Sequence, residues 1–267
     1  MVTILKLYAK IVRKYLNRPK TIKKMHAVLN RGYEEFLENK NKNIFEFEGK
    51  RYKIIKFKTI IFKKGDNLVK YMKELLSDKL EKNDIITIAE SILGITQGRA
   101  YPVEQIIPSK WAYFIYPWIS NVTYGTGIGM PETMECAIRE IGVKRMLKAT
   151  IFGAFDRITN KHGSFYKITG PLVKSIDYKK NHPVPYKNSH NYIVLSPSDP
   201  CGFCKKLFEE TNHSTAVIDA NNLSVEILGL FPPNSRMENL LMKAMKGNPA
   251  GQDDERRPII VIREIKE

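Results

Sequence analysis

Short runs of β-branched residues, separated by segments with helical spacing, constrain the fold of this chain most strongly. The runs include Ile85–Ala89, Ala216–Asp219 and Pro258–Arg263, and each is four to six residues long. Such lengths suit strands and are too short for helices. Apolar residues recur at helical spacing over 68–76, just before the first of these runs. A further strand is predicted before this helix, over Tyr52–Phe62, so strand, helix and strand follow in order. This order predicts a mixed α/β (α+β) fold built around a βαβ-like unit.

A β-hairpin is predicted to precede this helix. Phe45–Phe47 and Tyr52–Phe62 alternate between apolar and polar residues, with Gly49 near the turn between them. Asn67 or Asp66 is predicted to cap the helix that follows.

The positive charge is concentrated at the N-terminus. The chain carries a formal net charge of +16, and residues 1–64 contain 18 basic and five acidic side chains. Apolar residues at helical spacing in 3–16 and 22–37 predict two basic amphipathic helices within 1–43. Such helices bind nucleic acid, attach to an anionic membrane surface or form a solvated lysine-rich face. The last interpretation is favoured because the stripe contains no recognised nucleic-acid motif.

The remaining composition indicates a cytoplasmic protein. The chain contains no run of about 20 apolar residues, so no membrane span is expected. No secretory signal is recognisable at the N-terminus. Three cysteines, an odd number, argue against a disulfide scaffold. The pair Cys201 and Cys204 has the spacing of a redox or zinc motif, but an isolated pair is a weak signal, and buried helix positions are the favoured interpretation.

Two aspartates follow short apolar runs. Asp177 follows Val173–Ile176, and Asp219 ends Ala216–Asp219 and is followed by Ala220 and Asn221. Both are predicted to lie at the rim of a sheet, where oxygen ligands can hold a divalent cation and a phosphate-bearing substrate. The alternative is that each aspartate only begins a turn.

The polar loop 247–255 is the last candidate site element. It contains Gln252 and Asp253, whose side-chain oxygens could bind a hard cation or its waters. We expect either a mobile segment that closes over bound ligand or a solvated connection between the last helix and the last strand.

Several segments, taken in order, resemble the F420-0:gamma-glutamyl ligase family. They cover roughly 52–263 and are most similar to its ligase-like branch. The segments are Lys64–Leu68 (KGDNL), Lys82–Ala89 with Gln97–Arg99 (QGR), Ser175–Asp177 (SID), Val194–Pro200 (VLSPSDP), Ala216–Asn221 (AVIDAN) and Asn248–Gln252 (NPAGQ).

The resemblance implies a gamma-glutamyl-ligase-like fold over 44–267, with an insertion near 111–168 and the helical extension 1–43 added. It implies a cytoplasmic homodimer that uses GTP or ATP with Mg²⁺ or Mn²⁺. The enzyme would join an amino acid such as L-glutamate to a carboxylate acceptor through an acyl phosphate.

The resemblance also implies roles for individual residues. Asp177 and Asp219 would hold the cations, with Asp253 as a further ligand. Arg99 would pair with a carboxylate or phosphate. The nucleotide would be bound by Gly98, Asn221, Asn222 and Gln252.

Two positions depart from the family's pattern. Ile95 stands where the family has a lysine before the Gly-Arg loop, and Ala220 stands where a hydroxyl follows the second aspartate. These departures favour the alternative function, a non-catalytic ligase-like protein that binds nucleic acid through its basic N-terminal helices.

Overall fold

The computed structural model describes residues 43–119, 127–159, 163–180, 191–221, 224–251 and 256–266. They divide into two compact units. The six-stranded unit comprises the described residues of 43–98 and 197–266, and the three-stranded unit comprises those of 99–196. The predicted helices of 1–43 lie outside the described residues, apart from Asn43.

A mixed sheet forms the six-stranded unit. Its strand order is β1-β2-β9-β3-β7-β8, in which β3 and β7 are parallel and every other neighbouring pair is antiparallel. The strands are β1 (Ile44–Phe47), β2 (Lys50–Phe57), β3 (Ile85–Ala89), β7 (Ser214–Ala220), β8 (Val225–Phe231) and β9 (Ile259–Glu264).

Four helices belong to the same unit. They are α1 (Leu68–Leu76), α2 (Glu90–Thr96), α8 (Pro200–Thr211) and α9 (Ser235–Ala244). Helix α8 packs against β7, β8 and α1, whereas α9 packs against β8 and β1. The core between α9 and the sheet includes Ile54, Ile218 and Leu241. Burial of these apolar side chains is the main source of stability for such a layered arrangement.

The predicted hairpin is present, but its second strand is shorter than expected. Glu48 and Gly49 both have positive φ, as a two-residue turn between twisted strands requires. Strand β2 ends at Phe57, not at Phe62, because its pairing with β9 ends there. The Thr59 N–H then bonds to the Arg256 carbonyl oxygen at 2.9 Å, outside the ladder.

The predicted βαβ-like unit is present in split form. Strands β2 and β3 are linked through α1 and run parallel, but β9 lies between them and is antiparallel to both. Asn67 caps α1 as predicted, because its side chain accepts a hydrogen bond from the Lys70 N–H at 3.0 Å. The mixed α/β fold class is therefore confirmed.

The three-stranded unit combines a small antiparallel sheet with helices. Its strand order is β4-β6-β5. The strands are β4 (Ala100–Pro102), β5 (Asp177–Lys180) and β6 (Asn191–Val194), and the helices are α3 (Lys110–Ile115), α4 (Pro131–Ile141), α5 (Val143–Ile158), α6 (Ser164–Thr169) and α7 (Pro171–Lys174). Short 3₁₀ turns occupy Val103–Gln105 and Tyr116–Trp118.

The segment 111–168, predicted as an insertion, supplies much of the core of this unit. Ile115, Met134 and Met146 are fully buried and pack in one cluster with Ile193 of β6. The helices of the segment and the small sheet therefore share one hydrophobic core.

The local structure predicted before Asp177 is wrong. The run Val173–Ile176 is not a strand, because Pro171 starts helix α7 and Ser175 caps it. Asp177 consequently begins β5 instead of ending a strand. Proline at the first helical position is preorganised for a helix, which outweighs the β-branched character of so short a run.

None of the described helices combines the length and the apolar character that a membrane span requires.

Candidate functional site

The turn at Gly98 is the first element that the sequence singled out. Helix α2 ends at Thr96, and the Gly98 N–H closes the turn by bonding to the Ile95 carbonyl oxygen at 2.9 Å. Gly98 has a φ of +75°. This backbone conformation is unfavourable for residues that have a Cβ but not for glycine. The Gln97 side-chain oxygen also accepts the Ser198 N–H at 2.8 Å. The turn is therefore joined to the loop that precedes α8.

Lys64 lies over this turn, and its proximity was not predicted from the sequence. A Cβ placed on Gly98 would meet the side-chain carbons Cε, Cδ and Cγ of Lys64 at 2.8, 2.9 and 3.0 Å. The Gly65 N–H bonds to the Thr96 carbonyl oxygen at 2.8 Å, which fixes the two loops side by side. Lys64 is exposed. Its amino group therefore lies at the surface around Gly98. In the sequence, only the position of Lys64 next to Gly65 could have indicated this contact.

Ile95 and Ala220 replace two polar groups expected from the family's pattern. Ile95 is 6% exposed and packs in the interior as part of α2. Ala220 is the last residue of β7 and is partly buried. Neither side chain can contact a phosphate or a cation through a charge or a hydroxyl.

Arg99 is part of an ion pair inside the three-stranded unit. One guanidinium nitrogen lies 2.6 Å from a carboxylate oxygen of Glu140, and the Arg99 Nε donates to the Ser196 carbonyl oxygen at 2.5 Å. The two side chains are only 22% and 15% exposed. A ligand carboxylate or phosphate that binds Arg99 therefore shares the guanidinium with Glu140 or displaces it.

Asp177 lies at the same edge of the small sheet as the start of β4. Ala100 and Asp177 are both in register with Val194, one on each side of β6. The Leu195 N–H bonds to the Arg99 carbonyl oxygen at 2.8 Å. The structure thus brings Arg99 and Asp177 to one edge of one sheet. The Asp177 carboxylate pairs with the Lys179 amino group at 2.5 Å and is 39% exposed.

Asp219 lies at the carboxyl end of β7, as predicted. The ends of β3 and β7 meet at one edge of the six-stranded sheet, where β8 and β9 begin. Asp219 is directly opposite Glu226 in the antiparallel pair β7–β8. Residues directly opposite in an antiparallel pair lie on the same face of the sheet, so the two side chains are neighbours.

Asn221 holds the turn after β7. Its side-chain oxygen accepts the Ser224 N–H at 3.0 Å, and its own N–H bonds to the Ser224 carbonyl oxygen at the same distance. This turn role is what an Asn after a strand commonly provides. The contact between Asn221 and the nucleotide remains a prediction.

The other predicted contacts are only partly described. Asn222, Gln252 and Asp253 lie outside the described residues. Asn248, at the start of the polar loop, is 5% exposed, and its side-chain amide donates to the Gly251 carbonyl oxygen at 3.0 Å. This part of the loop is therefore a folded turn.

The two aspartates belong to different units, so their proximity remains a prediction. In the part of the chain that the structure describes, no group of three or more His, Cys, Asp or Glu side chains is arranged to hold a metal ion. The metal, nucleotide, homodimer and cytoplasmic predictions likewise remain predictions.

A comparison with known families identifies the family to which this chain belongs. The sequence profile of the F420-0:gamma-glutamyl ligase family matches residues 56–238. The match spans more than two thirds of the chain and includes Gly98, Arg99, Asp177, Asp219 and Asn221, whereas Gln252 and Asp253 lie beyond it. A comparison with curated proteins found no match. The resemblance seen in the sequence is thus confirmed, and this chain belongs to the F420-0:gamma-glutamyl ligase family.

Proposed function

We propose that the protein is a nucleotide-dependent gamma-glutamyl ligase that joins L-glutamate to a carboxylate of a deazaflavin acceptor. The family match over 56–238 is the observation that carries this proposal. It includes the Gly98–Arg99 turn and both aspartates. These residues supply the cationic and anionic groups that phosphoryl transfer to a carboxylate requires.

The proposed chemistry has two steps. A carboxylate oxygen of the acceptor attacks the γ-phosphorus of GTP or ATP, and the nucleoside diphosphate leaves. The amine of glutamate then attacks the carbonyl carbon of the acyl phosphate, and the amide bond forms as phosphate leaves and the nitrogen gives up a proton. Both steps develop negative charge on phosphate oxygens, so positively charged groups must be held nearby.

Lys64 and Arg99 are the basic side chains that we assign to this task. Lys64 extends across Gly98, where the missing Cβ leaves room for its carbon chain. It would supply the positive charge that Ile95 lacks, since Ile95 is buried in α2. Arg99 is held by Glu140 and by the Ser196 carbonyl oxygen, so its guanidinium is oriented before any ligand binds.

Asp177 and Asp219 are proposed to bind Mg²⁺ or Mn²⁺, with Asp253 as a further ligand. Carboxylate oxygens are the ligands that these hard cations prefer, so the side chains fit the ions. Asp219 lies at the carboxyl end of β7 in register with Glu226 of β8, so a second carboxylate lies on the same face of the sheet. The bound cations would neutralise charge on the nucleotide phosphates.

Binding of Mn²⁺ in the presence of a non-hydrolysable GTP analogue tests the proposal. Free Mn²⁺ would be measured by electron paramagnetic resonance for the wild type, Asp177→Asn and Asp219→Asn. We expect each substitution to weaken binding of Mn²⁺ by at least about tenfold, since a charged ligand is lost. Asp78→Asn is the matched control, because Asp78 is an exposed carboxylate of the six-stranded unit.

The alternative, a non-catalytic ligase-like protein that binds nucleic acid, predicts a different result. Neither aspartate would then matter for Mn²⁺, and nucleic acid would bind with an affinity that falls steeply with salt. The buried Ile95 and the nonpolar Ala220 are the observations that favour this alternative.

A further inference from the structure

The Cys201–Cys204 pair lies at the start of a well-anchored helix. Helix α8 begins at Pro200 and extends for 12 residues, with Cys201 in its first turn. The Asp199 side chain caps this end by accepting the Gly202 N–H at 2.8 Å. The two cysteines are three residues apart, and helical geometry therefore places their Cα atoms about 5 Å apart. This separation lies within the range that a disulfide bridges.

In a redox-active dithiol, one cysteine attacks a substrate disulfide and the other resolves the mixed disulfide that forms. The environments of Cys201 and Cys204 differ in the way that these two roles require. Cys201 is exposed, whereas Cys204 is completely buried. Burial raises the pKa of the Cys204 thiol to about 12, and the neighbouring Cys201 contributes to the increase. Cys204 is therefore a poor nucleophile towards solutes, but it lies one helical turn from a thiol that solutes can reach.

The helix start is fixed against strand β8. A Cβ on Gly229 would meet the Pro200 carbonyl carbon at 2.6 Å and the Cys201 backbone nitrogen at 2.9 Å. The Cys201 sulfur lies 4.0 Å from the Leu228 carbonyl oxygen. Close packing of backbone on backbone holds Cys201 in place, so the geometry of the pair does not depend on a mobile loop.

We propose that Cys201 and Cys204 form a redox-active dithiol that exchanges with small disulfides. The site is independent of the proposed ligase chemistry. The favoured sequence interpretation of two buried helix residues holds for Cys204 alone, since Cys201 is exposed.

The exchange has two steps. The Cys201 thiolate attacks one sulfur of a small disulfide such as oxidised glutathione, the S–S bond breaks, and one glutathione thiolate leaves and takes up a proton. Cys204 then loses its proton, and its sulfur attacks the Cys201 sulfur, which releases the second glutathione. The protein loses two hydrogen atoms with their electrons, and the small disulfide gains them.

The test treats the reduced full-length chain with oxidised glutathione, blocks the remaining thiols by alkylation and maps the peptides by mass spectrometry. We expect the peptide with Cys201 and Cys204 to lose both free thiols together and to become lighter by two hydrogen atoms. Cys136, which is buried, should remain reduced. A stable glutathione adduct on wild-type Cys201, or no reaction of the pair, would overturn the proposal.

Two variants separate the roles of the thiols. Cys204→Ala should retain one glutathione on Cys201, because nothing resolves the mixed disulfide. In Cys201→Ser, Cys204 should stay unmodified over the time in which the wild-type pair is oxidised, because its thiol is completely buried and burial raises its pKa. Equal reactivity of Cys204 with and without Cys201 would contradict the assigned roles. Cys136→Ser should react like the wild type, and the wild-type peptide map decides the proposal even if a variant fails to fold.

Discussion

Replacement of Gly98 by alanine tests whether the turn at Gly98 positions a phosphate-binding lysine. Gly98 and Gly65 both have positive φ, +75° and +88°. An alanine in this region costs about 1–2 kcal/mol of folding free energy at either position. Around Gly65 a new Cβ meets nothing within 4 Å, whereas at Gly98 it overlaps three carbons of Lys64. Gly65→Ala is therefore a matched control for the backbone cost.

The two variants should be destabilised to a similar extent. Lys64 is exposed and flexible, so its chain can rotate away from the new methyl group at a cost of about 1 kcal/mol or less. For a chain of this size, we expect each melting temperature to fall by about 2–8 °C in a thermal unfolding assay. A much larger fall for Gly98→Ala would show that Lys64 is held rigidly and that this reasoning is wrong.

Nucleotide affinity should separate the variants. Loss of a charge-assisted hydrogen bond to phosphate costs about 1.5–3 kcal/mol, or at least roughly tenfold in Kd. Isothermal titration with the GTP analogue should show this loss for Gly98→Ala and for Lys64→Met, but not for Gly65→Ala. The double variant Gly98→Ala/Lys64→Met should lose little more than either single variant. Equal Kd values for Gly98→Ala and Gly65→Ala would refute the role of Lys64.

Three further predictions concern stability. Gly229→Ala should lower the free energy of unfolding by about 1–3 kcal/mol, because backbone atoms of α8 leave no room for a Cβ; a wild-type urea midpoint would contradict this. Burial alone would raise the pKa of Glu135, but hydrogen bonds from Ser109 and Arg139 lower it below its ordinary value. Glu135→Gln should therefore destabilise the protein at pH 7 and approach the wild type as pH falls below about 4, and an equal deficit in urea unfolding at both pH values would refute the assignment. Arg263→Met should cost about 3 kcal/mol in the same assay, because the carboxylate of Asp84, 1% exposed, loses its bidentate partner; a loss below about 1 kcal/mol would show that solvent compensates.

The elements that sequence reasoning predicted well carry a clear local signal. Helix α1 has apolar residues at helical spacing and an Asn67 cap. Strands β3 and β7 are continuous apolar runs of the length that buried strands have. In these segments, local preferences and tertiary packing agree.

Two features were beyond such reasoning because they depend on contacts between distant residues. The insertion of β9 between β2 and β3 joins segments about 200 residues apart in sequence. The contact of Lys64 with Gly98 likewise arises only when two loops meet. The error at Val173–Ile176 has a different cause, since a segment of four residues with two β-branched side chains is too short to distinguish a strand from a helical turn.

Formation of a glutamyl product is the measurement that tests the central claim most directly. The protein would be incubated with the deazaflavin F420-0, L-glutamate, GTP and Mn²⁺, and the acceptor would be analysed by mass spectrometry. We predict addition of glutamyl residues to the acceptor by the wild type and by Asp78→Asn, and none by Asp177→Asn or Asp219→Asn. An acceptor that stays unmodified with the wild type, or is modified equally by all four proteins, would contradict the account.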